Sequence, residues 1–240
     1  MSTNSLTPTA PMYTPAVRIN RSLTANAERR LLEHLAARTP RGITSDHLTL
    51  LGWAAQIFAG LFYALSRTHP LALLAVNACI ILNWLGDSLD GTLARVRDQQ
   101  RPRFGFYVDH ITDLFGVTAL LTGLAFSGLA HPLVAAAMLV GFLLLSAESF
   151  LATHTLARFE LSQFLFGPTE LRLLLIIGNL FLLRSPYAHI PFTHSPAHSI
   201  LLFDLGGIIG SVCMIALAIT LTLRHTAQLF HAEPLPRAEP

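Results

Sequence analysis

Four aspartates carry most of the chemistry this sequence can do: Asp87 and Asp90, three positions apart, and Asp109 and Asp113, four apart. On a helix, spacings of three and four put side chains on one face. Each pair therefore shares a face of its own helix, and only Asp98 in this stretch stands apart. Paired carboxylates at membrane depth repel each other and are costly to desolvate unless a cation neutralises them. Bound divalent metal is the simplest explanation. Oxygen-only ligands suit Mg²⁺ or Mn²⁺, and Mg²⁺ keeps waters and takes phosphate oxygens beside a few carboxylates, so the pattern points to phosphate chemistry.

Gly91 and Ala94 lie on the Asp87 side of the first helix, and Gly105 precedes Asp109 by one turn. Small residues there let a helix or a ligand approach the backbone. The whole pattern, Asp-x2-Asp-Gly-x2-Ala-Arg-x9-Gly-x3-Asp-x3-Asp, fixes eight positions from Asp87 to Asp113. It resembles the signature of the CDP-alcohol phosphotransferase (CDP-alcohol phosphatidyltransferase) family, integral membrane enzymes that make phospholipids from a CDP-linked alcohol and a second alcohol. All eight signature residues are present.

The resemblance implies two divalent ions, Mg²⁺ or Mn²⁺, with Asp87, Asp90 and Asp109 as ligands and Asp113 as both ligand and general base. It also implies that Gly91, Ala94 and Gly105 line the CMP pocket, with Arg95 contacting phosphate or locking the helix end. The partners it implies are a CDP-alcohol donor and an acceptor. These are either CDP-diacylglycerol with a small polar alcohol or a CDP-amino alcohol with diacylglycerol. Members of the family are often homodimers, and nothing suggests a nucleic-acid partner.

The chain of 240 residues is 52% hydrophobic and 12% charged, far more apolar than a soluble domain. Its formal charge is +2, and every basic residue is Arg, a side chain suited to phosphates and anionic head groups. Cys79 and Cys213 fall in apolar stretches and read as small buried hydrophobes. The first 45 residues are polar, with no cleavable signal segment, so the spans themselves are expected to direct insertion.

Stepping along the chain, residues 1 to 17 carry Pro8, Pro11 and Pro15 among Ser and Thr, a disordered-tail composition. From Thr24 to Arg38 an apolar stripe of Ala27, Leu31, Leu32 and Leu35 opposes Arg29, Arg30 and Glu33, and Pro40 and Gly42 stop the helix. This helix is expected to lie on the membrane surface, to pack on the protein, or both. Six apolar segments follow: Leu48 to Leu65, Leu71 to Leu93, Phe104 to Leu129, Leu133 to Leu151, Leu171 to Leu183, and Ile200 to Leu223. The fifth is short unless it begins near Phe164. Gly128 and Pro132 punctuate one turn, Ser66 to Pro70 another.

The expected fold is all-α and polytopic: six transmembrane helices around a polar cavity facing the cytoplasm, preceded by an amphipathic surface helix. Residues 1–45 form a tail and that helix, 46–225 the membrane domain, and 226–240 a flexible tail. With the N-terminus inside, fourteen of the sixteen arginines lie on the inner side and only Arg67 and Arg184 outside, which places the aspartates at the cytoplasmic face. The short Arg-rich chain suggests a bacterial inner membrane. Between the Asp pairs, Arg97, Arg101 and Arg103 oppose Asp98, so this linker either attracts anionic lipid or nucleotide phosphate or serves topology alone.

Other polar residues sit in or beside later spans. Glu148, Glu170 and Arg172 are candidates for the substrate pocket, since ionisable groups within a membrane tend to be functional; a structural Glu-Arg pair at the interface would look the same. The segment from Thr155 to Arg172 also resembles eukaryotic choline and ethanolamine phosphotransferases, in which Thr-Glu opens the next helix. Asn83 lies one turn before Asp87 and is placed to order it. His110 points about 100° away from Asp109 and is expected to pack or hydrogen-bond. His189, His194 and His198 have irregular, proline-interrupted spacing and read as a solvated loop rather than a zinc site. Asp204, with Gly206, Gly207 and Gly210, reads as close helix packing at the outer face.

Three other readings compete. An intramembrane prenyltransferase also uses Asp-rich motifs and Mg²⁺, but separates them widely and carries more spans. A divalent-cation or proton-coupled transporter would place acids within spans without needing Gly91, Ala94 and Gly105 at fixed offsets. A non-catalytic scaffold would not need the complete acid set.

Overall fold

The computed structural model describes residues 17–19, 25–156, 158–160, 168–185, 189–191 and 199–233. Among them are seven helices: α1 (Ala25–Arg38), α2 (Ser45–Ser66), α3 (Ala72–Val96), α4 (Pro102–Ser127), α5 (Pro132–Leu156), α6 (Pro168–Arg184) and α7 (Leu202–Ala232). Four three-residue strands make two small pairs. β1 (Val17–Ile19) runs parallel to β2 (Arg158–Glu160), and β3 (His189–Pro191) antiparallel to β4 (Ser199–Leu201). The apolar pattern predicts no strands, because segments this short show no alternation.

The helix ends follow local chemistry. Thr44 caps α2 by accepting from the His47 N–H, and the His47 ring reaches back to the Thr44 backbone. Gly128 takes φ 77° after α4, a left-handed turn that only glycine adopts cheaply, and Pro132 starts α5. Pro102 and Pro168 start α4 and α6, where a missing N–H costs nothing. α7 runs past 225, where a flexible tail was expected, because no breaker occurs before Pro234.

Among the described residues α2, α3, α4, α5 and α7 are long and apolar enough to cross a membrane, which makes this an integral multi-pass membrane protein. At 17 residues, α6 is roughly 25 Å long, short of a hydrocarbon core of about 30 Å. Phe164, where a longer fifth span would begin, lies outside the described residues.

α2, α3, α4 and α6 enclose the main core, where Ala59, Tyr63, Leu73, Val76, Ile80, Leu121, Leu124 and Leu182 are buried. Large apolar residues cover the outside, among them Leu133, Leu151, Val212 and Leu223, as a lipid-facing surface requires. Cys79 is buried as expected, but Cys213 faces outward on α7, because an apolar stretch in a membrane has an outer face as apolar as its inner one. α1 packs on the protein: its Leu32 and Ala36 are buried against Leu48, Leu89 and Leu93, while Leu31 stays exposed beside Arg29 and Arg30.

Glycines bring the helices around the site unusually close. A Cβ on Gly86 of α3 would fall 2.6 Å from the Gly52 nitrogen and the Leu48 carbonyl of α2, and one on Gly123 of α4 would collide with the Gly60 carbonyl. Higher up, Tyr63 donates to Asn179 at 2.9 Å, and Asn179 donates to Asn77 at 2.7 Å, a buried chain that ties α2, α6 and α3 together.

Candidate active site

Asp87 comes from α3, and Asp109 and Asp113 come from successive turns of α4. Their carboxylates converge: one oxygen from each lies within 4.8 Å of the others. Oxygens bound to one Mg²⁺ at about 2.1 Å lie no more than about 4.2 Å apart, so the spread is close to that of a single hard cation's ligands. Arg172 supplies one positive charge beside three carboxylates, a divalent cation would balance the rest, and the donor set fits Mg²⁺ or Mn²⁺.

Asp90 is not in this tight group. It lines the same cleft but is 9% exposed, held from α2 by Thr49, which donates to its Oδ2 at 2.6 Å, and within α3 by the Gly91 N–H, which donates to its Oδ1. Ser45 donates to its backbone carbonyl at 3.0 Å. The four aspartates thus share one cleft of about 230 Å³, its mouth included, whose remaining lining is Thr49, Gly52, Trp53, Gln56, Asn83 and Thr112.

Arg172 reaches into this arrangement from α6. Its Nη2 donates to Asp87 at 2.6 Å and its Nε to Asn83 at 3.0 Å. Asn83 in turn donates to the Gly52 carbonyl at 3.1 Å and Gln56 at 3.3 Å, so it does order the Asp87 side of the cleft. A planar guanidinium bonded to two partners fixes direction as well as charge.

The other candidates fall elsewhere. Glu148 turns away from the cleft and pairs with His225 of α7 at 2.5 Å, because α5 packs mainly on α7; it is not a wall of this cleft. The Glu170 side chain lies outside the described residues. Gly91, Ala94, Arg95 and Gly105 do not line the cleft either. They sit toward the α3–α4 connection, where a Cβ at Gly105 would meet nothing within 4 Å and one at Gly91 only the Arg95 guanidinium at 3.6 Å. Arg95 donates to Thr92 at 3.0 Å.

Two arginines of the linker are committed: Arg97 donates to the carbonyls of Thr39, Pro40 and Ile43 in the turn between α1 and α2, and Arg101 pairs with Asp46 in the first turn of α2. His110 hydrogen-bonds the Phe106 carbonyl at 2.7 Å and stacks on the Phe106 ring. Asp204 accepts from the His131 N–H at 2.6 Å, at the start of α5. The side chains of His189, His194 and His198 lie outside the described residues.

Reasoning from charge alone misses the α2 wall. Its signal was a stripe of small and neutral polar residues at helical spacing, Ser45, Thr49, Gly52 and Gln56, running through an otherwise apolar span.

The sequence model of the CDP-alcohol phosphatidyltransferase family matches residues 43–225. No curated protein matches the chain. Among solved structures, the chain is similar in fold to a phosphatidylinositol phosphate synthase of Mycobacterium tuberculosis, crystallised with CDP-DAG bound. The identity is 21%, the TM-score 0.59, and the match covers 80% of this chain and 92% of that one.

Proposed function

The chain belongs to the CDP-alcohol phosphatidyltransferase family, enzymes of phospholipid synthesis that use a CDP-alcohol, and on that premise we propose that it transfers the phosphatidyl group of CDP-diacylglycerol to a small polar alcohol. The convergence of Asp87, Asp109 and Asp113 in one cleft carries this reading. A donor of that kind is supported by the likeness to a synthase that holds CDP-DAG.

In this reading Asp87, Asp109 and Asp113 would hold one divalent ion, and Asp90, on the same cleft, would contribute to a second; bound there, the ions would supply charge to neutralise the pyrophosphate and acidify the acceptor hydroxyl. The acceptor oxygen attacks the phosphorus that bears diacylglycerol, its proton passes to the Asp113 carboxylate, and CMP leaves with the bridging oxygen. Arg172 holds Asp87 in place for this. Beyond the cleft, toward the α3–α4 connection, Gly91, Ala94 and Gly105 would give the CMP portion access to the backbone, with Arg95 beside it. The N-terminus and the cleft mouth face the cytoplasm.

The experiment is CMP release by purified protein with Mg²⁺ or Mn²⁺, from CDP-diacylglycerol and from CDP-ethanolamine, each against a panel of acceptors. CMP from CDP-diacylglycerol with one small alcohol is expected. CMP only from CDP-ethanolamine with diacylglycerol would assign the chain to the other branch, toward which the Thr169-Glu170 likeness points.

A further inference from the structure

Glu28 belongs to the first turn of α1, well outside the cleft, yet it is among the most heavily bonded carboxylates described. Its Oε1 accepts from the Trp84 indole N–H at 2.8 Å and from the Ser88 hydroxyl at 3.3 Å, both on α3. The Thr169 hydroxyl of α6 lies 3.1 Å from Oε1 and 3.3 Å from Oε2. A surface helix that needed only to lie on the protein would not place a carboxylate under three donors from two different helices.

The positions of those donors give the arrangement its meaning. Trp84 and Ser88 flank Asp87 in α3, and Thr169 lies one turn before Arg172 in α6. Arg172 is the residue that holds Asp87 and Asn83. The contacts therefore close a circuit: Glu28 to α3, Asp87 to Arg172, and α6 back through Thr169 to Glu28. α6 is tied to α3 at two places one helical turn apart, and two ties fix both its height and its rotation. Sliding or turning α6 would move the guanidinium relative to Asp87.

We propose that Glu28 is a positioning residue for the aspartate site: it locks the start of α6 against α3, and through Arg172 sets the Asp87 carboxylate for cation binding. It touches neither substrate nor the reacting atoms. This rests on the reading of Asp87, Asp109 and Asp113 as cation ligands. It also makes α1 a part of the active-site scaffold rather than an accessory to membrane attachment.

The test uses Glu28→Gln, which keeps shape but gives up the charge and one acceptor, and Thr169→Val, which removes only the α6 hydroxyl. Both are compared with Arg172→Gln and with the double variants. Mn²⁺ affinity is read from free-ion spin resonance, CMP release from CDP-diacylglycerol is assayed in parallel, and each variant is checked by thermal unfolding. Glu28→Gln and Thr169→Val should each weaken Mn²⁺ binding about tenfold. Neither should add to the loss already caused by Arg172→Gln, because the path runs through that residue.

Wild-type Mn²⁺ affinity in both single variants would overturn the proposal, and so would a loss that persists undiminished on the Arg172→Gln background. A drop in unfolding temperature with unchanged Mn²⁺ affinity would reduce Glu28 to a stabilising contact and overturn it equally. If the wild-type protein releases no CMP, the assigned reaction fails, while the Mn²⁺ comparison still decides the role of Glu28.

Discussion

Asp113 combines two demands in one side chain, since it belongs to the converging carboxylates and is the proposed proton acceptor. Asp113→Asn keeps the volume and removes the base, so CMP release should fall by about a thousandfold while the protein still inserts and unfolds as wild type. Turnover near the wild-type rate would remove Asp113 from the base role. Thr49 offers a milder perturbation: its hydroxyl holds Asp90 Oδ2 at 2.6 Å. Thr49→Val should lower kcat/KM about tenfold, read in the same CMP assay, with no change in expression. These two residues also mark what the sequence disclosed. The aspartates were legible because charge in an apolar protein demands a reason. Thr49 and Gln56 were not, because a neutral polar residue in a span is cheap enough to need none. Glu148 shows a different case, since its carboxylate is paired with His225 of α7.

At the scale of elements, close helix contact decides whether the carboxylates can meet at all. Gly123 lies against the Gly60 backbone, which cannot move aside as a side chain tip would. Gly123→Leu should therefore prevent α2 and α4 from closing, and no monodisperse protein should survive detergent extraction in size-exclusion chromatography. The buried Asn179 joins Tyr63 to Asn77 without approaching the cleft. Asn179→Ala leaves the Tyr63 hydroxyl and Asn77 without that partner, a loss of about 1–3 kcal/mol, seen as a lower thermal midpoint. The helices themselves were readable from apolar length and from breakers such as Gly128 and Pro132. Which faces touch was not, because in lipid the inner and outer faces of a span are equally apolar and only small residues mark the contact. Gly52, Gly60, Gly86 and Gly123 carry that mark, whereas Gly42, Gly206 and Gly210 meet nothing within 4 Å.

For the whole molecule, the expected six-span arrangement with the N-terminus inside puts fourteen of the sixteen arginines on the side that holds the aspartates. With Cys79 and Cys213 removed, a cysteine at Thr68 should react with a membrane-impermeant maleimide in intact cells, and one at Gln99 only after lysis. The reverse pattern would turn the cleft to the outside, away from cytoplasmic CDP-alcohols. Charge counts over loops give an expected orientation from sequence alone, whereas the docking of α1 involves Glu28, whose partners are distant in sequence. Everything proposed for the reaction depends on the aspartate cleft acting on a CDP-alcohol with bound cation. The most direct measurement is a time course of CMP release from CDP-diacylglycerol and an active acceptor in Mn²⁺, with chelator added midway and excess Mn²⁺ restored later. Release should start, stop on chelation and resume on restoration. Continued release through chelation, or none at any stage from folded protein that binds Mn²⁺, would contradict a cation-dependent transferase.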